Sequence, residues 1–315
     1  MRWNADAKIA TLQSRSRLLT KIRQFFTQHN YLEVETPLLG KHTVTDPHID
    51  SFSAQGKAQQ PPQYLQTSPE FFMKRLLAHG SGPIYQICKA FRQEEQGKQH
   101  NPEFTILEFY QPGFDHHALM QQVDHLMRYA INTPPAEKVS YLELFQSHLR
   151  IDPHTASLNE LHEKIKQQNI QISTDALDRD ACLQLLLSHS IEPNIGKQQP
   201  LFIYDYPTSQ AALAKIRTGS PAVAERFELY YKGMELANGF HELNDSKQQQ
   251  HRFELDLKQR AIHQKALPSL DNKFIECLDK LPACSGVAIG VDRLAMLHAK
   301  ADRIEQVLTF SWDER

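Results

Sequence analysis

FRQEEQGKQHNPEFTILEFY, Phe91 to Tyr110, is the stretch on which the reading of the whole chain turns. Its apolar flanks read as two strands, Ile84 to Phe91 and Phe104 to Tyr110, joined by a polar turn from Gln96 to Gln99. Arg92, Gln93 and Glu94 follow the first strand, and His100, Asn101, Glu103 and Phe104 open the second. Such a loop can grip a nucleotide. A guanidinium offers a fixed fork to phosphate oxygens, a carboxylate can accept from an adenine amino group, and a phenyl face can stack on the base. For any one of these residues alone an exposed, charged hairpin is the simpler account; their concentration in one loop weakens it.

The composition sets the frame around this loop. A chain of 315 residues with 40% hydrophobic content can bury the core of one large domain, or of one domain with an insertion. A formal net charge of −2 and a pI near 6.8 give no field of the kind a general nucleic-acid binder needs, so strong general nucleic-acid binding is not expected. Four cysteines (Cys88, Cys182, Cys277, Cys284) form no CxxC pair and no dense framework, which points to free thiols in a reducing, cytoplasmic setting. The opening MRWNADAKIA has no apolar signal core, and no apolar run approaches the roughly 20 residues of a membrane span.

Outward from the loop, periodicity and punctuation assign the remaining elements. Ala7 to Asn30 places Ile9, Leu12, Leu18, Leu19, Ile22, Phe25 and Phe26 at helical spacing, and Tyr31 to Val34 reads as a short strand. Lys41 to Gln63 is polar and proline-bearing, a long loop or irregular hairpin. Ser68-Pro69-Glu70 puts a capping hydroxyl, a proline and a carboxylate at the start of the helix FFMKRLLAHG. Asp115 to Ile131 is a further helix. From 133 to 200 helical patches alternate with polar links, which predicts a helical insertion within a single domain spanning 1–315. Strand character returns at Leu201 to Tyr204, continues through Arg226 to Glu242, and ends in Gly286 to Arg293. KQQQHRFELDLKQR reads as a solvated helix.

A second chemical centre is FELYYKGMELANGFHELND, residues 227 to 245, a strand that turns near Lys232-Gly233 and returns. A four-residue turn there sets Glu228 opposite Glu235, with Cβ atoms about 5 Å apart. Opposed carboxylates repel unless a divalent cation lies between them, and magnesium prefers hard oxygen ligands; two exposed glutamates on a hairpin of shifted register is the alternative. Asn238, Phe240 and Glu242 alternate onto one face, and Gly239 permits close approach. That face suits an aminoalkyl ligand. Glu108, mid-strand and apolar-flanked, is costly to bury unless paired, either with an ammonium ligand or with an internal arginine or lysine. The sixteen histidines, His116-His117 included, show no convincing metal spacing.

The loop sequence FRQEE…HNPEFTILE resembles motif 2 of class II aminoacyl-tRNA synthetases in the form used by the lysine enzymes. Glu35-Thr36-Pro37 is similar to motif 1, which in that family forms the dimer interface, and Gly286 to Arg293 resembles motif 3. The resemblance implies an α+β fold, an antiparallel sheet flanked by helices, and ATP-dependent activation of an amino acid. In its terms the catalytic arginines are Arg92, on the α-phosphate, and Arg293, on the nucleotide's tail or base. Gln93, Glu94, His100, Asn101, Phe104, Glu235, Leu236 and Gly290 complete the ATP site, and Glu228 with Glu235 carries Mg2+. Ser68, Pro69, Glu70, Glu108, Tyr110, Asn238, Phe240, Glu242 and Ala288 line the amino-acid pocket.

Two departures from the lysyl-tRNA synthetase pattern narrow the expectation. Motif 1 arrives by residue 37, which leaves no room for the anticodon-reading barrel of those enzymes. Ala288 interrupts the glycines of motif 3, adding a methyl that should disfavour α-lysine and suit an isomer with a shifted amino group. With EPNIGK and YYKG-x-ELANGFHEL, these features are similar across nearly the whole chain to the bacterial elongation factor P lysine ligase family. That resemblance implies a homodimer that adenylates (R)-β-lysine, or lysine, and transfers it to a lysine of elongation factor P. A minimal enzyme charging tRNA or another acceptor, and a non-catalytic lysine sensor, are the alternatives.

Overall fold

A computed structural model of the protein describes residues 5–56, 61–93, 95–173 and 177–312. Chain order runs α1 (Ile9–Gln28), β1 (Leu32–Glu33), β2 (Leu39–Gly40), β3 (Ser53–Ala54), β4 (Gln63–Leu65), α2 (Glu70–Ala78), β5 (Ile84–Phe91), β6 (Glu103–Pro112), α3 (His116–Ile131), β7 (Glu137–Ser140), α4 (Tyr141–Leu149), α5 (Leu158–Gln167) and α6 (Arg179–Leu186). It continues through β8 (Leu201–Pro207), β9 (Ile216–Arg217), β10 (Val223–Tyr231), β11 (Met234–His241), α7 (Ser246–Ile262), α8 (Asn272–Cys277), β12 (Cys284–Gly290) and α9 (Val291–Ala299).

One nine-stranded sheet, ordered β1-β5-β6-β12-β11-β10-β8-β7 with β9 on β10, organises the chain. Its central strands pair antiparallel, as expected, while β1 on β5 and β7 on β8 make both flanks parallel. The expected loop after Lys41 contains β3 and leads to β4, which with β2 forms a small three-stranded sheet. The segment 133–200 is not purely helical: β7 joins the edge of the main sheet before α4 to α6 pack over it. The short run Glu137 to Ser140 shows no alternation from which a strand can be read, and it gains its order from pairing with β8.

The period-two alternation of the central strands divides their side chains between two environments. Leu107 and Phe109 of β6 and Val287 and Ile289 of β12 turn to the back, where Leu18, Ile22 and Phe26 of α1, Leu119 and Val123 of α3, and Leu294 of α9 complete the main core. Phe26 stacks on Tyr85 with ring centroids 4.3 Å apart. Burying such a ring stabilises the fold by about 2–3 kcal/mol. The intervening residues, Glu108, Tyr110 and Ala288, face the front, where α2 and α8 pack together around Met73 and Phe274. Among the described residues no helix is long and apolar enough to cross a membrane.

Candidate active site

The front face of the central strands holds a row of functional side chains because their registers match. Ala288 of β12 is paired with Glu108 on one side and Asn238 on the other, and Gly286 is paired with Tyr110 and Phe240. A Cβ on Gly286 would lie 2.2 Å from the Tyr110 ring and 2.6 Å from Glu242 Oε1. Only glycine lets those two side chains close over the strand at that point.

Three carboxylates meet there. Glu108 is buried, accepting a hydrogen bond from Ser68 Oγ at 2.5 Å and from the Tyr110 hydroxyl at 3.0 Å. Ser68 also accepts from the backbone N–H of Glu70 at 3.0 Å, so the turn that starts α2 is what points its hydroxyl at Glu108. Among the described residues no arginine or lysine forms an ion pair with Glu108, and of the two accounts open from the sequence the internal cation is not the one observed. Burial pushes its carboxyl up to about 7, with Glu70 adding to the effect. Glu242, also buried, is pushed up to about 8 by burial, against the opposing pull of Lys74.

Lys74, one helical turn beyond Glu70, was not singled out in the sequence. Its ammonium is buried between Glu70 Oε1 at 2.7 Å and Glu242 Oε2 at 2.6 Å. Burial pulls its pKa down, and the two carboxylates together raise it, keeping it charged. The i, i+4 relation of Glu70 and Lys74 was visible, but such pairs are common on exposed helix faces; nothing local signalled that this one points inward. Among the described residues, one ammonium paired within a group of three carboxylates leaves the cluster short of positive charge. Asn238, whose Oδ1 is buried without a hydrogen-bond partner, and Phe240 complete the same face.

At the other end of the row the arginines are engaged by protein groups. Arg92 lies over the Phe104 ring at 5.1 Å, donates to the Thr67 carbonyl at 3.4 Å and pairs with Glu95 at 3.2 Å. Arg293, in the first turn of α9, donates to the Glu235 carbonyl at 2.6 Å and to His100 Nε2 at 2.5 Å. Burial and then the adjacent guanidinium lower the pKa of His100, so its acceptor nitrogen stays available to Arg293. Asp292 fixes the start of α9 by accepting from Thr105 N–H at 2.7 Å and pairing with Arg15 at 2.6 Å. Gly290 and the buried Leu236 flank Arg293 and Glu235.

Not every expected nucleotide residue turns inward. Asn101 uses its amide to donate to the Glu103 carbonyl and to accept from Trp312 N–H, tying the loop to the C-terminal segment. Gln93 donates to the Ser51 carbonyl at 2.9 Å, tying it to the segment before β3. Glu94 lies outside the described residues.

The register of β10 and β11 corrects the expected opposition of Glu228 and Glu235. Lys232 and Gly233 have φ of 50° and 73°, the left-handed pair of a two-residue turn, so the hairpin closes at Tyr231 and Met234 rather than around four residues. With an irregularity after Leu229, Glu228 faces Asn238 and Glu235 faces Tyr230. Glu228 is buried, paired with Arg226 and accepting from the Tyr230 hydroxyl at 2.6 Å. Glu228 still bears on Glu235: desolvation and then the charge of Glu228 push the Glu235 carboxyl up, despite Arg293 and Arg226 nearby. This residual repulsion beside two arginines fits a hard divalent cation that also carries phosphate oxygens. Arg226 is a second residue the sequence reading passed over.

Against this geometry, comparison with known proteins is specific. The profile of tRNA synthetases class II (D, K and N) matches residues 1–314. An elongation factor P (R)-β-lysine ligase of Salmonella arizonae is 47% identical over 317 aligned residues, covering 99% of this chain and 98% of the relative. The Haemophilus influenzae protein of the same name is 47% identical over 316, with the same shares of each chain covered.

Proposed function

The chain belongs to the class II tRNA synthetase family of the D, K and N type, and from that premise we propose that it activates (R)-β-lysine with ATP and joins it to a lysine ε-amine of elongation factor P. The observation that carries this reading is the acid cluster of the half-buried Glu70 and the buried Glu108 and Glu242, in which Lys74 pairs with Glu70 and Glu242 and Ser68 and Tyr110 hold Glu108. Such a cluster selects a ligand that brings ammonium groups of its own, and β-lysine brings two. Its carboxylate is then directed towards the arginines, where a phosphate chain can lie.

The reaction needs no nucleophilic side chain. The substrate carboxylate attacks the α-phosphorus of ATP, the bond to the β,γ-phosphates breaks, and pyrophosphate leaves. The acceptor ε-amine then attacks the carbonyl of the acyl-adenylate, gives up a proton and expels AMP. Alignment and charge neutralisation dominate such chemistry. Arg92 holds the α-phosphate, its neighbour Phe104 offers a face to the base, and Arg293 reaches the nucleotide once His100 releases it. Glu228 and Glu235 would hold Mg2+, which supplies charge neutralisation on the phosphates. Ala288, between Glu108 and Asn238, narrows the floor where the α-amino group of ordinary lysine would lie. The exposed Leu32, Leu38 and Leu39 around Glu35-Thr36-Pro37 suit a twofold interface of a homodimer, and a cytoplasmic setting follows from the acceptor.

Mass spectrometry of elongation factor P after incubation with the protein, ATP, Mg2+ and each lysine isomer tests the proposal. A gain of one lysyl unit with (R)-β-lysine is expected; label on tRNA and none on elongation factor P would favour a minimal charging enzyme instead. Ala288→Gly should raise the use of α-lysine relative to β-lysine about tenfold, the scale of one methyl in a packed pocket.

A further inference from the structure

The back of the same sheet carries a second set of ligand-type side chains, on the opposite face from the acid cluster. Phe227 and Gly239 are cross-strand partners that turn to the back core. Two residues further along each strand, on the same side, stand Glu225 and His241, joined from His241 Nδ1 to Glu225 Oε2 at 2.6 Å. His116, the first residue of α3, reaches them from a third element. One ligand atom from each of His116, Glu225 and His241 lies within 4.8 Å of the other two. No sequence spacing could show this, because His116 lies more than a hundred residues before the other two and on a helix, whereas they stand on a hairpin.

We infer that His116, Glu225 and His241 form a binding site for one divalent transition metal of the zinc type, with Asp205 holding the His116 ring. Two imidazoles and a carboxylate are a donor set such ions favour. His116 is 1% exposed, its Nε2 meets Asp205 Oδ1 at 3.2 Å, and its Nδ1 is buried without a hydrogen-bond partner. A carboxylate on one ring nitrogen is the arrangement that orients a ligating histidine. The charge balance agrees: Asp115, Asp205 and Glu225 face the cluster, and Arg217 pairs with both Asp205 and Glu225. Arg217 takes Oε1 of Glu225 and leaves Oε2 to the metal side. The His117 ring lies tilted against His116 with ring centroids 4.1 Å apart. Tetrahedral ligands on bonds of about 2.0–2.1 Å sit about 3.3 Å apart, so closure asks for side-chain shifts of roughly an ångström.

Chelator-stripped protein titrated with Co2+ in excess Mg2+ should take up one ion per chain and develop visible absorption bands of a low-coordinate nitrogen and oxygen site. Zn2+ should displace it and raise the melting temperature. His241→Ala and the near-isosteric Glu225→Gln should each weaken uptake at least 100-fold, and Asp205→Asn about 10–100-fold. Glu228→Gln with Glu235→Gln should leave the bands unchanged, which separates this site from the proposed magnesium pair and from the ligase reading. Absence of the bands at stoichiometric Co2+, or bands that persist unaltered in both His241→Ala and Glu225→Gln, would overturn the inference.

Discussion

The two ends of the row of side chains on the front face handle their charges in opposite ways. Around Glu108 and Glu242 the carboxylates are buried, held in place by Ser68, Tyr110 and Lys74, and kept short of cations. Around Arg92 and Arg293 the guanidinium groups lie nearer the surface and are already occupied, by Glu95 and His100. On the proposed function, the amino-acid end would therefore be built before its ligand arrives, with unfavourable ionisation that an ammonium would relieve. At the proposed nucleotide end Glu95 and His100 occupy the arginines that phosphate would take, and they would have to give way. Preorganisation of this kind raises affinity by removing ordering costs at binding, whereas exchange of partners makes the arginines selective for a stronger anion than a carboxylate.

The largest test of the contrast removes an arginine. Arg92→Ala should lower ATP–pyrophosphate exchange about 10^3-fold, the scale of losing one preorganised donor to developing charge, while leaving the fold intact because Arg92 is partly exposed. Exchange kinetics together with an unchanged thermal midpoint check it; near-normal exchange would mean that the nucleotide end lies elsewhere.

Glu108→Gln probes the opposite end at smaller magnitude. The amide keeps one acceptor oxygen for Ser68 or Tyr110, sets its NH2 against the other hydroxyl, and loses the charge, so lysine-isomer binding should weaken about 10–100-fold, as expected for a charged hydrogen bond. The folded carboxyl titrates at about 7 against an ordinary 4.5. Its ionisation is thus disfavoured by folding, and stability falls as pH rises from about 4.5 through 7. Without ligand the variant should match the parent near pH 5 and exceed it near pH 8 by about 1–3 kcal/mol, read by denaturant titration. In the parent protein, lysine affinity should climb between pH 6 and 8 as Glu108 and Glu242 ionise.

The same contrast explains what was legible in the sequence. The strand part of the acid cluster was partly legible: Asn238, Phe240 and Glu242 alternate, and period two puts them on one face, whereas Glu70, Glu108 and Tyr110 were reached only through the family resemblance. Lys74 was not legible, since a lysine four residues after a glutamate reads the same on an exposed helix as on a buried one. At the proposed nucleotide end the conformation of the loop was not legible. Asn101 and Gln93 carry the right groups, and tertiary contacts with Trp312 and Ser51 spend them on holding the loop. The Glu228–Glu235 opposition failed on turn chemistry: Lys232 takes a left-handed conformation beside Gly233, the turn shortens to two residues, and the register moves. The cluster of His116, Glu225 and His241 was beyond reach, since it depends on how α3 docks on β10 and β11.

The finest test concerns the group that occupies Arg92. Glu95 pairs with it at 3.2 Å, with both side chains about a third exposed, so the pair contributes no more than about 1 kcal/mol. If that carboxylate merely stands in for phosphate, ATP must displace it, and Glu95→Gln removes the competition. The KM for ATP should then fall by up to about fivefold, the equivalent of that energy, with lysine affinity untouched because the acid cluster is already formed. The effect should shrink at high salt, where the surface pair is screened. A KM that rises instead would show Glu95 to be part of the nucleotide's own binding site, and the nucleotide end would then be as fully prepared for its ligand as the pocket beside it.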